Sequence, residues 1–307
     1  MVDLSVELAG LRLRNPLILA SGILGVTGQS LKRVAKEGAG AVTTKSIGTT
    51  PREGNKNPVV VELPYGLLNA MGLPNPGIDA YGEEISIAKE GGVPVIGSVF
   101  GANGEEFASL AKKMESFGAD AVELNVSCPN VSSYGLEIGR SPDEVKRITK
   151  AVRALISTPI FVKISPAVDV AGVAAAAQNG GADVVVAINT IPAMAIDVDV
   201  RKPSLAQGAG GYSGPGIKPV GLRCVYDISS AGIPVVGSGG ILTGRDVAEY
   251  LMAGASAVEI GSAVYYRGVG VFRTICNDLA DFLSTHGYGG VGDIKNLARK
   301  GKGGVKR

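Results

Sequence analysis

A parallel (β/α)8 TIM barrel, an α/β fold, is the architecture this 307-residue sequence predicts. Three observations predict it. Four Gly-Ala segments, Gly38-Ala39-Gly40-Ala41-Val42, Gly118-Ala119-Asp120-Ala121-Val122, Gly181-Ala182-Asp183-Val184-Val185 and Gly254-Ala255-Ser256-Ala257-Val258, each follow a helix-like stretch and open an apolar run. Four further segments, Asn15-Pro16-Leu17-Ile18, Val93-Pro94-Val95-Ile96, Thr158-Pro159-Ile160-Phe161 and Ile233-Pro234-Val235-Val236, place Pro directly before another apolar run. The two sets alternate along the chain, giving eight strand starts with helical patterns between them. A doubly wound open sheet is the alternative that the same alternation permits.

Leu4–Leu13 alternates apolar and polar residues and reads as a hairpin turning at Ala9-Gly10, placed to plug the barrel bottom. Strands are expected near 17–20, 41–44, 95–99, 121–125, 160–164, 184–188, 235–237 and 257–260. A Gly can end the preceding helix in a left-handed conformation, and Pro costs no ladder bond at the first residue of a strand. Helical patterns cover about 28–37, 104–117, 142–156, 168–179, 219–231 and 244–253, with Asn103 and Ser141-Pro142 as helix starts. The excursions 46–77, 126–141 and 190–218 all leave even-numbered strands and are long enough to be functional lids. Residues 1–307 read as one domain with a basic C-terminal tail from about 289 to 307. The Lys295–Arg307 stretch of that tail reads as a solvated end, with a partner contact as the alternative.

Composition narrows the chemistry. Lys+Arg 30 against Asp+Glu 28 leaves a net charge of +2, too weak a field to hold nucleic acid or an anionic membrane. The charged N-terminus is unlike a signal segment, and no 18-residue apolar run occurs, so a soluble cytoplasmic protein is expected. The three cysteines, Cys128, Cys224 and Cys276, lack metal-site spacing, fit a reducing compartment, and cannot supply four ligands to an iron–sulfur cluster. A single histidine, His286, excludes His-based triads. Proton chemistry then falls to Cys, Lys or a carboxylate, and no carboxylate is expected at a strand end facing the rim.

The polar residues at the strand ends are Ser21-Gly22, Thr44-Lys45-Ser46, Asn125 to Asn130, Lys163-Ile164-Ser165, Asn189-Thr190, Gly237 to Gly240 and Gly261-Ser262. Barrel active sites lie on this face. Gly239-Gly240 after strand 7 and Gly261-Ser262 after strand 8 suit a phosphate, of a substrate or of flavin mononucleotide, because bare backbone N–H groups can reach it. Lys45 and Lys163 would stabilise developing negative charge, form a Schiff base, or enter a structural ion pair. Cys128 sits in a loop beside Pro129 and reads as a base or nucleophile, whereas Cys224 and Cys276 lie in helical patterns and read as core thiols. Asn69, Met71 and Leu73 suit a flat, polar ring.

At these residues the chain resembles the class 1 dihydroorotate dehydrogenases, over nearly its whole length. The motifs are Asn15-Pro16 to Ser21-Gly22, Thr44-Lys45-Ser46, Pro51 to Asn55, Asn69–Gly77, Asn125–Asn130, Asn189-Thr190, Ser213-Gly214-Pro215 and the two terminal Gly turns. The resemblance implies flavin mononucleotide (FMN) near Ser21, Lys45, Ser46, Asn125, Lys163, Ile188, Gly214, Gly239, Gly240, Gly261 and Ser262. It implies dihydroorotate against Lys45, Asn69, Ala70, Met71, Gly72, Leu73, Asn125, Asn189 and Thr190. It makes Cys128 the catalytic base and sets Lys163 near flavin N1 and O2. Asn69-Ala70, Asn75-Pro76-Gly77 and the N-terminal hairpin resemble the NAD-linked class 1B branch, while Pro74 is similar to the fumarate-using 1A branch. The 1B resemblance implies a homodimeric core assembled with a second subunit that carries FAD and a 2Fe–2S cluster, a heterotetramer in all. The runner-up outside the family is a barrel lyase or aldolase with Lys163 as Schiff base. A non-catalytic flavin-binding protein is a third reading.

Overall fold

A computed structural model describes residues 2–127, 141–166 and 169–300. Eight parallel strands close a barrel: β3 (Leu17–Leu19), β4 (Ala41–Thr43), β7 (Val95–Val99), β8 (Ala121–Asn125), β9 (Ile160–Ile164), β10 (Val184–Ala187), β15 (Val235–Ser238) and β16 (Ala257–Ile260). β16 pairs with β3 to complete the ring, which excludes the open doubly wound sheet. The expected strands all form, each within a residue of its expected end.

The two alternating motifs have distinct mechanical roles. The four prolines stand immediately before the odd barrel strands, and each carbonyl accepts from the neighbouring even strand. Val258, Val42, Val122 and Val185 donate to Pro16, Pro94, Pro159 and Pro234 at 2.8–3.0 Å. The N–H that Pro lacks is therefore absent only where the ladder begins. In two Gly-Ala segments the Asp repairs the same edge. Asp120 accepts from Val95 N–H at 2.9 Å and Asp183 from Ile160 N–H at 2.8 Å. The leading glycines of the set adopt φ between +89° and +117°, where a side chain would strain the backbone.

Parity along the strands builds the interior in layers of four from alternate strands. The lowest holds Ala41, Ala121, Val184 and Ala257, and the next Ile18, Ile96, Phe161 and Val236. Leu8 and Leu13 of the hairpin β1 (Val6–Leu8) and β2 (Leu11–Leu13) pack beneath them and plug the bottom. Higher up the interior turns polar. Thr43, Glu123, Val186 and Glu259 share a layer, with Ala20, Ser98, Lys163 and Ser238 above. Outward residues of the same strands pack against the helix ring in the main core.

The expected helices form, with Asn103 and Ser141 capping theirs. Sequence patterning missed the helix Gly82–Lys89, which buries only Ile85 and Ala88, and set no bounds for the helices after β16, although Cys276 reads as helical and lies in Val271–Thr285. The 46–77 and 190–218 excursions are not irregular. β5 (Val60–Leu63), β6 (Gly66–Asn69), β11 (Ile191–Met194) and β14 (Ala209–Ser213) join in one antiparallel sheet, ordered β11-β14-β6-β5. Between β11 and β14, β12 (Ile196–Asp197) pairs with β13 (Lys202–Pro203). The C-terminal tail needs correction: Val291 and Ile294 are buried, Lys295 donates to Ser256 at 2.8 Å, and Arg299 donates to Ser229 at 2.9 Å. That part is docked, not solvated. Among the described residues no helix is long and apolar enough to cross a membrane.

Candidate active site

A cavity of about 340 Å³ opens at the C-terminal ends of the barrel strands, bordered on one side by the antiparallel sheet. The strand ends contribute Ser21, Lys45, Ser46, Asn125, Lys163, Ile188, Asn189, Thr190, Gly239, Gly240, Gly261 and Ser262 to its wall. The excursions add Asn69, Met71, Gly72, Leu73 and Gly214. Residues up to 245 positions apart in sequence thus meet, Ala20 and Tyr265 being the extremes. Ala70 does not line the cavity. Its side chain packs with Leu68 and Leu205 in the core of the antiparallel sheet, because alternation along the chain turns it away from Asn69 and Met71. Cys128, Pro129 and Asn130 lie outside the described residues. Cys224 and Cys276 are away from the cavity, and burial pushes both thiols up to about 11. His286 sits on the surface and contacts Phe282.

The asparagines are tied to one another through the loop ends. Asn125 Nδ2 donates to Ser46 Oγ at 3.0 Å, and its Oδ1 accepts from Ser127 Oγ at 3.1 Å. Asn189 Nδ2 donates to the same Ser127 hydroxyl at 2.9 Å, while its Oδ1 accepts from Thr190 N–H at 2.7 Å. Asn69 Nδ2 donates to Gly211 O at 3.2 Å, across the β6–β14 pair. Each amide is thereby held in one orientation by a partner behind it. Asn75 performs the same service for the Asn69–Gly77 segment: it accepts from Gly48 and Gly77 N–H and donates to Leu73 O at 2.9 Å. Leu73 has φ +55°, an uncommon conformation for a branched residue, and that bond fixes it.

At the other end, Gly239 and Gly240 adopt φ +125° and +69°. A Cβ on Gly240 would meet Lys218 Cβ at 2.7 Å and Gly214 O at 2.9 Å. One on Gly261 would meet only Ala20 Cβ, at 3.6 Å, so this backbone faces open space in the cavity wall.

The floor is charged, contrary to the expectation that no carboxylate faces the rim. Glu259 lines the cavity and forms a buried ion pair with Lys163. Burial alone would lower the Lys163 pKa, but Glu259 and then Glu123 outweigh it and hold the ammonium above its ordinary value. Lys163 is thus both an ion-pair partner and a cavity residue. The sequence reading also missed Val60, Leu67, Ser213, Ile217 and Tyr265 in the wall, which depend on how the antiparallel sheet folds back. A signal for Glu259 did exist: it shares strand parity with Ala257, which the Gly-Ala motif places at the start of the strand.

The sequence profile of the family described as Dihydroorotate dehydrogenase matches residues 3–283. The chain is 52% identical over 299 residues to the "Dihydroorotate dehydrogenase B (NAD(+)), catalytic subunit" of Pyrococcus horikoshii, covering 97% of this chain and 98% of that one. It is 49% identical over 286 residues to the protein of that name from Methanocaldococcus jannaschii, covering 91% and 93%. With the Thermoplasma acidophilum protein, also so named, identity is 49% over 300 residues, covering 97% and 99%. The barrel, the polar rim and these likenesses agree: the chain belongs to the dihydroorotate dehydrogenase family.

Proposed function

We propose that this chain is the catalytic subunit of a class 1B dihydroorotate dehydrogenase, which oxidises (S)-dihydroorotate to orotate in pyrimidine (UMP) biosynthesis with electrons passing to NAD. The observation that carries the reading is the convergence of Lys45, Asn69, Asn125 and Asn189 on one cavity in a chain of this family. A flat anionic ring with an imide needs such a set: one cation for the carboxylate, and amides that both donate and accept.

The residues present fit FMN. Gly261 backs onto open space, the Gly239-Gly240 turn lines the same cavity, and Lys163 places a cation at the floor. Ser21, Lys45, Ser46, Asn125, Lys163, Ile188, Gly214, Gly239, Gly240, Gly261 and Ser262 would hold it. Bound there, it supplies the acceptor for the hydride that leaves C6 of the substrate. The chain does the rest. Lys45, Asn69, the Ala70–Leu73 backbone, Asn125, Asn189 and Thr190 fix the substrate, with their own amides already oriented. Cys128, three residues beyond Asn125, takes the C5 proton as a thiolate. Lys163 favours negative charge above it.

The NAD link requires a second protein. Relatives are named as catalytic subunits, this chain has three cysteines, and it contains no G-x-G-x-x-G in a strand–helix setting. The partner carries FAD and a 2Fe–2S cluster, and the assembly is a heterotetramer around a homodimer of this chain. The first test is an anaerobic absorption spectrum. Dihydroorotate should bleach the bound flavin. Flavin that stays oxidised would leave only a binding protein, and a colourless chain would favour the Schiff-base lyase.

A further inference from the structure

Beneath the cavity the barrel interior holds two acids where a packed barrel normally holds branched apolar side chains. Glu123, on β8, is 0% exposed, and Glu259, on β16, is 2% exposed. They stand on opposite sides of the ring, and both lie in the buried layer directly under Lys163. Glu123 Oε1 accepts from Ser98 Oγ at 2.8 Å, while its Oε2 has no donor. A second buried carboxylate with an oxygen that lacks a donor is costly to keep ionised, and protonation would supply the missing charge balance. The single cation of the layer above, Lys163, is paired with Glu259. Ser98 Oγ lies 2.9 Å from Ser46 Oγ, and Ser46 lines the cavity. The other side chains of the two layers, Thr43, Val186, Ala20 and Ser238, carry no charge. Lys45, two residues beyond the end of β4, carries a further cation in the cavity wall.

We propose that Glu123 and Glu259 hold one proton between them, exchanged with the cavity through Ser98 and Ser46, and that the pair acts as a positioning device for Lys163 by setting the net charge under the flavin. This rests on the flavin reading of the cavity. With one proton the pair carries one negative charge and Lys163 one positive, so the floor is neutral. Loss of that proton to solvent leaves the floor net negative and disfavours an added electron pair above it. Burial first, opposed by Lys163 and reinforced by Glu123, pushes Glu259 well above the usual carboxylate range. Both this rise and the rise at Lys163 follow when two acids share one proton and one negative charge.

The test is a spectroelectrochemical titration of the full-length flavin-loaded chain, reduced with dithionite from neutral to alkaline pH. In wild type, reduction should draw one extra proton above a break on the alkaline side of neutrality. That adds a tenfold change per pH unit, about 30 mV for a two-electron couple. E123Q and E259Q each keep one carboxylate opposite Lys163. Each should therefore match the wild-type potential at neutral pH and lose the extra slope. The double variant leaves Lys163 unopposed and should favour the reduced flavin by about tenfold or more, about 30 mV or more. Infrared spectra should show a buried, deuterium-sensitive carboxylic acid band in wild type that both single variants lack. A tenfold rise from either single substitution at neutral pH, or no acid band in wild type, would show two ionised acids and overturn the proposal. If the double variant does not fold, the single variants and the infrared band still decide. Dithionite removes the substrate from the readout, so a chain that dihydroorotate fails to reduce would sink the enzymatic reading alone.

Discussion

Asn125 shows how much rests on single side chains. Its amide joins Ser46 on one excursion to Ser127 at the start of another, and Ser127 in turn holds Asn189. Cys128 follows directly in sequence, and with His286 the single histidine it is the residue proposed to take the proton at C5. Cys128→Ala should keep its flavin and slow anaerobic reduction by dihydroorotate about 10²–10⁴-fold in stopped-flow, the span for a lost general base. A rate near wild type would move the base elsewhere. Most residues of the cavity wall were legible because the Pro and Gly-Ala motifs mark strand starts, so strand ends could be counted forward. Glu259 was not. In Ala257-Val258-Glu259-Ile260 a lone acid reads as solvent-facing, and only its shared parity with Ala257 reveals that it points into the barrel.

Among the elements, the N-terminal hairpin and the terminal Gly turns act at opposite ends and should separate experimentally. Leu13 is fully buried beneath the barrel interior. Leu13→Ala should cost about 2–5 kcal/mol in urea denaturation while flavin content stays at the wild-type level, since the cavity lies at the far end. Gly261→Val should do the reverse. Its new side chain meets only Ala20 near its base and projects into the cavity. The variant should keep wild-type circular dichroism and thermal midpoint yet purify with far less flavin. Full flavin occupancy would place the phosphate away from this turn. The barrel strands were readable from local motifs, but the antiparallel sheet was not. Leu68 pairs with Val61 on one side and with Tyr212 on the other, and a partner about 140 residues away leaves no local period. Val60 is exposed in its own strand, which weakens the alternation further.

For the whole molecule, the decisive question is where electrons go after the cavity. The chain has three scattered cysteines, and Cys224 and Cys276 are remote from the cavity. With dihydroorotate it should reduce artificial dyes but not NAD. Adding a subunit that carries FAD and a 2Fe–2S cluster should confer NAD reduction, followed at the nicotinamide absorbance. Vigorous NAD reduction by the isolated chain would contradict the two-protein scheme, and fast turnover with fumarate alone would point to the 1A chemistry.

The long excursions, after strands β4, β8 and β10, all leave even-numbered barrel positions, whereas the Pro-led odd strands pass to their helices within four to eight residues. The chain is therefore a fourfold repeat of a two-strand module in which one strand is scaffold and its neighbour is free to vary. A designer seeking a new ring specificity has three insertion points and can leave every odd connection untouched. Grafting an excursion onto an even position asks nothing of the Pro-sealed ladder starts at the opposite end. The same division offers a lineage a way to acquire new chemistry without renegotiating the barrel.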